Sequence, residues 1–104
     1  MRVPQNLHKG SHFLADYAEI VRGLGEVNPD AAERFCEAVE RHLHLLATHP
    51  QIGAKAGFRH APRVRKWVVQ PFRNYLLFYE DRPEGVLMIR LLHGAQDLSP
   101  MIPA

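Results

Sequence analysis

Arginine is the residue type in this chain best suited to recognition chemistry, and three arginines stand at informative places. Arg65 and Arg73 flank two predicted strands, residues 64–70 and 74–80. A guanidinium can grip a carboxylate or phosphate through two parallel hydrogen bonds, so both are candidates for binding an anion. The plainer alternative is a position on solvated strand ends. Arg90 falls inside a third apolar strand, residues 86–92. Burying an arginine there is costly unless it is paired or its head reaches water. Either it pairs with a carboxylate such as Asp97, or it lines a partly open sheet surface. His93 ends the same strand beside Gly94, where the chain can expose it, and is the best-placed acid–base candidate. Alone it is weak, because strand-end histidines are commonly structural. Trp67 could stack on a base, but in mid-strand it reads as core.

Other chemistries are poorly represented. Seven histidines invite a metal hypothesis, yet His42 and His44 diverge on a helix, and Gly10 interrupts the pair His8 and His12. HExxH, GxSxG, P-loop and GxGxxG patterns are absent. Neither a metal nor any other cofactor is expected. Cys36 is the only cysteine and falls on a predicted apolar helix face, which reads as a buried, inert thiol. A lone cysteine makes no internal disulfide and suits a reducing cytoplasm. The apolar stretches are far too short to span a membrane, and the N-terminus has no apolar segment of the secretory type. The expectation is therefore a cytoplasmic protein with no membrane partner.

The formal net charge of +2 hides an asymmetry. Seven of the eleven acidic residues lie in residues 16–40, and residues 41–79 contain none. That acid-free block carries Arg41, Lys55, Arg59, Arg63, Arg65, Lys66 and Arg73. A surface of one sign attracts an anionic partner, either nucleic acid or an acidic protein segment; the plain alternative is a solvated loop.

Two helices and a set of strands must position these groups. Ser11 is a candidate N-cap for a first helix whose apolar stripe is Phe13, Leu14, Tyr17, Ala18, Val21 and Leu24, with Gly23 and Gly25 ending it. The second helix is the clearest local signal. Asn28 caps it, Pro29 occupies its first turn, Asp30 and Glu33 meet the positive end of its dipole, and Pro50 stops it. Ala32, Phe35, Cys36, Val39, Leu43, Leu46 and Ala47 recur at spacings of three and four. The short Gly-Glu-Val-Asn connection favours an antiparallel helical hairpin. Residues 6–10 read as turn and 51–62 as loop, and residues 81–85 form a hairpin turn between the last two strands. Residues 1–4 could add a leading edge strand. In the strand 86–92, strict alternation puts Leu87, Ile89, Leu91 and His93 on one face and Val86, Met88, Arg90 and Leu92 on the other. The predicted fold class is α+β, one domain spanning residues 1–104. An N-terminal antiparallel helical hairpin packs on one face of a small twisted antiparallel sheet of three to four strands, with the other face partly open.

The run 35–97 resembles the ParE branch of the ParE/RelE toxin superfamily. Its pieces are Ala32-x-x-Phe35 with Leu43, Leu46 and Ala47 leading into His49-Pro50-Gln51-Ile52-Gly53. Then come Val64-Arg65-Lys66-Trp67-Val68-Val69 and Phe72-Arg73-Asn74-Tyr75-Leu76-Leu77-Phe78-Tyr79. Last is Val86-Leu87-Met88-Ile89-Arg90-Leu91-Leu92-His93-Gly94-Ala95-Gln96-Asp97. The resemblance implies a toxin neutralised by a cognate antitoxin, with higher-order toxin–antitoxin assembly common in the family. It implies one of two mechanisms. ParE-like toxins bind DNA gyrase and block it, whereas RelE-like toxins enter the ribosome and cleave mRNA. Arg65, Arg73 and Arg90 match recurring basic positions, and His93 matches the family's C-terminal histidine. Gln96 stands where an arginine is common. Residues 98–104 carry no tyrosine, lysine or arginine, which leans the reading toward the gyrase-binding branch. The alternatives are a ribosome-dependent mRNA endonuclease and a decayed, non-toxic antitoxin-binding module.

Overall fold

Asn28 fixes the helical pair. Its side-chain carbonyl accepts the N–H of Ala31 at 3.2 Å, satisfying a donor of the first turn, while Pro29 and Asp30 follow as the sequence suggests. The computed structural model describes residues 6–94 and 97–103. Helix α1 (Ser11–Val27) and helix α2 (Pro29–Thr48) are separated by Asn28 alone. The connection is therefore shorter than the four residues expected, because Gly23 and Gly25 do not end α1. A side chain at Gly23 would meet open space, and one at Gly25 would meet only the Ala32 methyl at 3.8 Å, so neither glycine answers a close approach, and the helix runs through both despite their weak helical tendency. Ser11 is the first helical residue rather than the cap, which is Gly10. Gly25 lies against Ala32, and farther from the turn the Tyr17 hydroxyl reaches Cys36 and Glu40, so the helices fold back on one another.

The sheet has five strands, not three or four, and it is mixed. The strands are β1 (Leu7–Lys9), β2 (Ala54–Lys55), β3 (Arg65–Val68), β4 (Tyr75–Arg82) and β5 (Gly85–His93), in the order β1-β5-β4-β3-β2. β1 runs parallel to β5, with Leu7 opposite Val86, and the other pairs are antiparallel. The two additions come from segments read as turn and loop. β1 and β2 are only three and two residues long, too short for alternation to reveal. The leading strand expected at residues 1–4 lies outside the described residues, as does Gln96. Gly85, at φ +139°, opens β5 where a side chain would strike the backbone of Asn6.

Both sheet faces carry a core. On the helix side Phe13, Phe35, Val39, Leu43 and Leu46 pack against Leu77, Tyr79, Val86, Met88 and Leu91. The opposite face, expected to be partly open, is covered by the chain itself. Ala61 and Val64 from the loop before β3, and Leu98 and Ile102 from the segment after β5, bury Phe78, Ile89 and Leu92. Apolar strand residues on both faces demanded such a cover. A short 3-10 turn, Ser99–Met101, shapes the C-terminal segment, and the His60 ring nitrogen Nε2 binds the Ile102 carbonyl at 2.9 Å.

Candidate functional site

The strand that carries Arg90 and His93 contains an irregularity that decides where both point. Phe78 faces Arg90, but Tyr79 faces Met88, so Ile89 is an extra residue on β5. This β-bulge breaks the strict alternation. Val86 and Met88 face the helices before it, and Leu91 faces them after it. Ile89 and Leu92 join the opposite core. Arg90 is thus not on the face of Val86 and Met88, as unbroken alternation required.

Arg90 is bound within the chain. Its Nε and Nη2 donate to the two carboxylate oxygens of Asp16 on α1 at 2.7 and 2.8 Å, and its Nη1 donates to the Met101 carbonyl at 2.9 Å. Both charged side chains are 14% exposed. The hydrogen bonds that Arg90 donates to Asp16 raise the already high guanidinium pKa against the opposing effect of burial. Asp16 also accepts the N–H of Leu91 at 3.0 Å. β1 has ended by that point, its last pairing being Lys9 with Met88, so the carboxylate takes over an edge that the partner strand no longer satisfies. Asp97, the partner considered from sequence, instead accepts the backbone N–H and hydroxyl of Ser99, which lowers its carboxyl pKa.

Arg65 is engaged too. It lies opposite Tyr79 in the β3–β4 register, and its Nη1 donates to the carbonyls of Gln51 at 3.2 Å and Gly53 at 2.6 Å. Tyr79 holds the same turn from beneath. Its hydroxyl donates to the Pro50 carbonyl at 2.8 Å and accepts the Gly53 N–H at 3.0 Å. Burial raises the Tyr79 phenol pKa, opposed by the Gly53 N–H and by the charge of Arg65. The string His49-Pro50-Gln51-Ile52-Gly53 is therefore a turn clamped from two strands. Trp67 packs against the helix-side core, and its indole N–H donates to His42 Nδ1 at 3.0 Å. His42 Nε2 lies 2.8 Å from the Gln70 carbonyl.

Arg73 and His93 remain at one end of the sheet. Arg73 is exposed in the turn before β4. Gly94 N–H donates to the Asn74 carbonyl at 2.7 Å, and His93 stands opposite Tyr75 with ring centroids 5.3 Å apart, edge to face. Among the described residues neither Arg73 nor His93 makes a side-chain hydrogen bond. His93 lines a groove of about 510 Å³ with Asp16, Glu19, Tyr75, Arg90 and Met101. The structure thus brings Arg90 and His93 together, places Arg73 at the same end, and sets Arg65 apart beneath the turn. Sequence reasoning missed Asp16. Its one signal was position: it sits three residues after Phe13 and four before Ile20, on the flank of the buried stripe.

A helical pair packed on a mixed five-stranded sheet, whose last strand carries Arg90 and His93, is the setting in which the comparison becomes informative. The family model described as the ParE toxin of the type II toxin–antitoxin system, parDE, matches residues 11–98. The chain belongs to the ParE toxin family. Among curated proteins none matches it. The ParE-family match runs from the start of α1 to Leu98, so it includes Asp16, Arg65, Arg73, Arg90 and His93. Membership implies a cognate antitoxin as partner. Among the described residues no group of three His, Cys, Asp or Glu side chains could hold a metal ion, and no helix is long and apolar enough to cross a membrane.

Proposed function

We propose that this ParE-family toxin is neutralised by its cognate antitoxin and arrests cells from the cytoplasm by binding DNA gyrase, without chemistry of its own. The observation that supports this most is the commitment of Arg90. A ribonuclease of the superfamily needs a free cation to stabilise charge on phosphate and a positioned base to take the 2′-hydroxyl proton. Here Arg90, the cation beside His93, already binds Asp16 and the Met101 carbonyl, and Arg65 is bound to carbonyls of its own chain. His93 makes only a ring contact with Tyr75 among the described residues. A rigid, internally satisfied surface suits docking better than proton transfer.

The decisive measurement is gyrase supercoiling with purified protein. Inhibition at micromolar levels, abolished by the cognate antitoxin, is the expected result. Intact supercoiling rules out gyrase as the target. Arg73 and His93, which make no side-chain hydrogen bond among the described residues and lie at one end of the sheet, favour a second reading, a ribosome-dependent mRNA endonuclease. Transcripts cut in a translation extract by the parent chain, but not by His93→Ala, would select it. Tight antitoxin binding with neither activity would leave the decayed module.

A further inference from the structure

The second core stops short of the end of β3. Lys66 lies opposite Phe78 and Val68 opposite Leu76, so these side chains share the face that Phe78 helps to bury. Ala54 of β2, opposite Lys66, adds to the same row. The chain covers Phe78, but Leu76 is only partly buried against that core and Val68 stays outside it. What remains is a groove of about 460 Å³ whose lining includes Ile52, Ala54, Lys66, Trp67, Val68 and Leu76. Ile52 is 42% exposed, and Trp67, Val68 and Leu76 are half-buried.

We propose that this groove seats a segment of the cognate antitoxin that carries apolar side chains and a carboxylate. The proposal rests on the reading that an antitoxin neutralises this chain, and it adds where one part of that partner docks and by what chemistry. Two observations select such a segment. The first is the uncovered apolar floor. Aliphatic side chains around an aromatic one, bordered by a charge, have the make-up of the centre and rim of a protein interface. The second is sign. Lys66 is exposed, belongs to no ion pair among the described residues, and lies within the acid-free run 41–79. A carboxylate on the incoming segment is attracted there, whereas a basic segment is repelled.

Other occupants fit less well. In a two-fold contact between copies the patch would meet itself, and Lys66 would face a second set of cations. A nucleic acid backbone is held by several cations that track its phosphates, and the lining of this groove supplies one.

The test is calorimetric titration of the purified cognate antitoxin into the full chain and its variants, with a parallel spectrum of the nitrogen-labelled chain. Trp67 is the single tryptophan, so one indole N–H resonance reports on the groove, and it should move on saturation. Ile52→Asp combined with Lys66→Glu should weaken binding about tenfold or more, because each replaces a favourable contact with repulsion of the carboxylate. Raising salt from about 50 to 300 mM should weaken binding to the parent chain more than binding to Lys66→Gln, since that variant has lost the screened attraction. Circular dichroism reports whether the double variant is folded. If it is not, Lys66→Gln, which leaves every apolar side chain in place, carries the test through its salt dependence. An antitoxin that does not bind the parent chain would overturn the neutralisation reading and this proposal with it. Equal binding by parent and variants, or an unmoved Trp67 resonance, would overturn the groove assignment alone. So would self-association of the chain that the double variant abolishes, or an oligonucleotide that moves the Trp67 resonance and displaces the antitoxin.

Discussion

Asp16 and Arg90 stand 74 positions apart in the chain and meet in a two-pronged ion pair at 2.7 and 2.8 Å, while the same carboxylate receives the N–H of Leu91. One side chain thus anchors α1 to β5 where β1 runs out, and positions the arginine that borders the His93 groove.

Removing both members of this pair should cost less than the two single losses added together. Asp16→Ala strands a largely buried guanidinium and a backbone N–H, and should destabilise the fold by about 2–3 kcal/mol. Asp16→Ala combined with Arg90→Met should fall well short of the sum of the single changes, since both act on one interaction. Chemical denaturation of the four chains gives the coupling. Additive losses would mean that the pair contributes nothing.

The clamp on residues 50–53 makes a second prediction. A Cβ on Gly53 would lie 2.5 Å from the Tyr79 hydroxyl and 2.9 Å from the Lys66 carbonyl. Gly53→Ala should therefore destabilise by about 1–3 kcal/mol through overpacking. Tyr79→Phe should cost a similar amount, because the Gly53 N–H and the Pro50 carbonyl lose their partner. Thermal unfolding checks both, and an unshifted midpoint in either variant would contradict the clamp.

Alkaline pH should loosen the fold through two phenols. Burial, then the neighbouring Cys36 and Glu40, raises the Tyr17 pKa, and burial raises that of Tyr79, both from the ordinary 10.0. Above that value the unfolded chain loses these protons first, so stability falls as pH rises. Their contribution is complete below pH 10.0 and disappears as pH climbs through the higher folded-state values. A chain carrying Tyr17→Phe and Tyr79→Phe should lose less stability than the parent across that rise in pH.

His42 has a single tautomer in this structure. An indole N–H can only donate and a backbone carbonyl can only accept, so Nδ1 is bare and Nε2 carries the proton. Nitrogen chemical shifts of labelled histidine should show the Nε2–H form for His42. Trp67→Phe leaves Nδ1 without its donor and should cost about 1 kcal/mol. A spectrum with Nδ1 protonated at neutral pH would refute the assignment.

Local rules carried much of the architecture. The Asn28-Pro29 start and the spacing from Ala32 to Ala47 are set within a few residues of one another, so α2 was legible from its own segment. The long strands β4 and β5 were legible for the same reason, as was the family string ending at Asp97. The acid-free block was countable directly. Tertiary structure alone decided the rest. β1 and β2 exist only because β5 and β3 offer them edges. The bulge at Ile89 exists only in the register against β4, and it overturned the face assigned to Arg90. The choice of Asp16 over Asp97 as its partner, and the covering of the second sheet face by Ala61, Val64, Leu98 and Ile102, depend on segments far apart in sequence being brought together. Periodicity reports which way a side chain points along its own element. It holds no information on which distant element arrives to meet it.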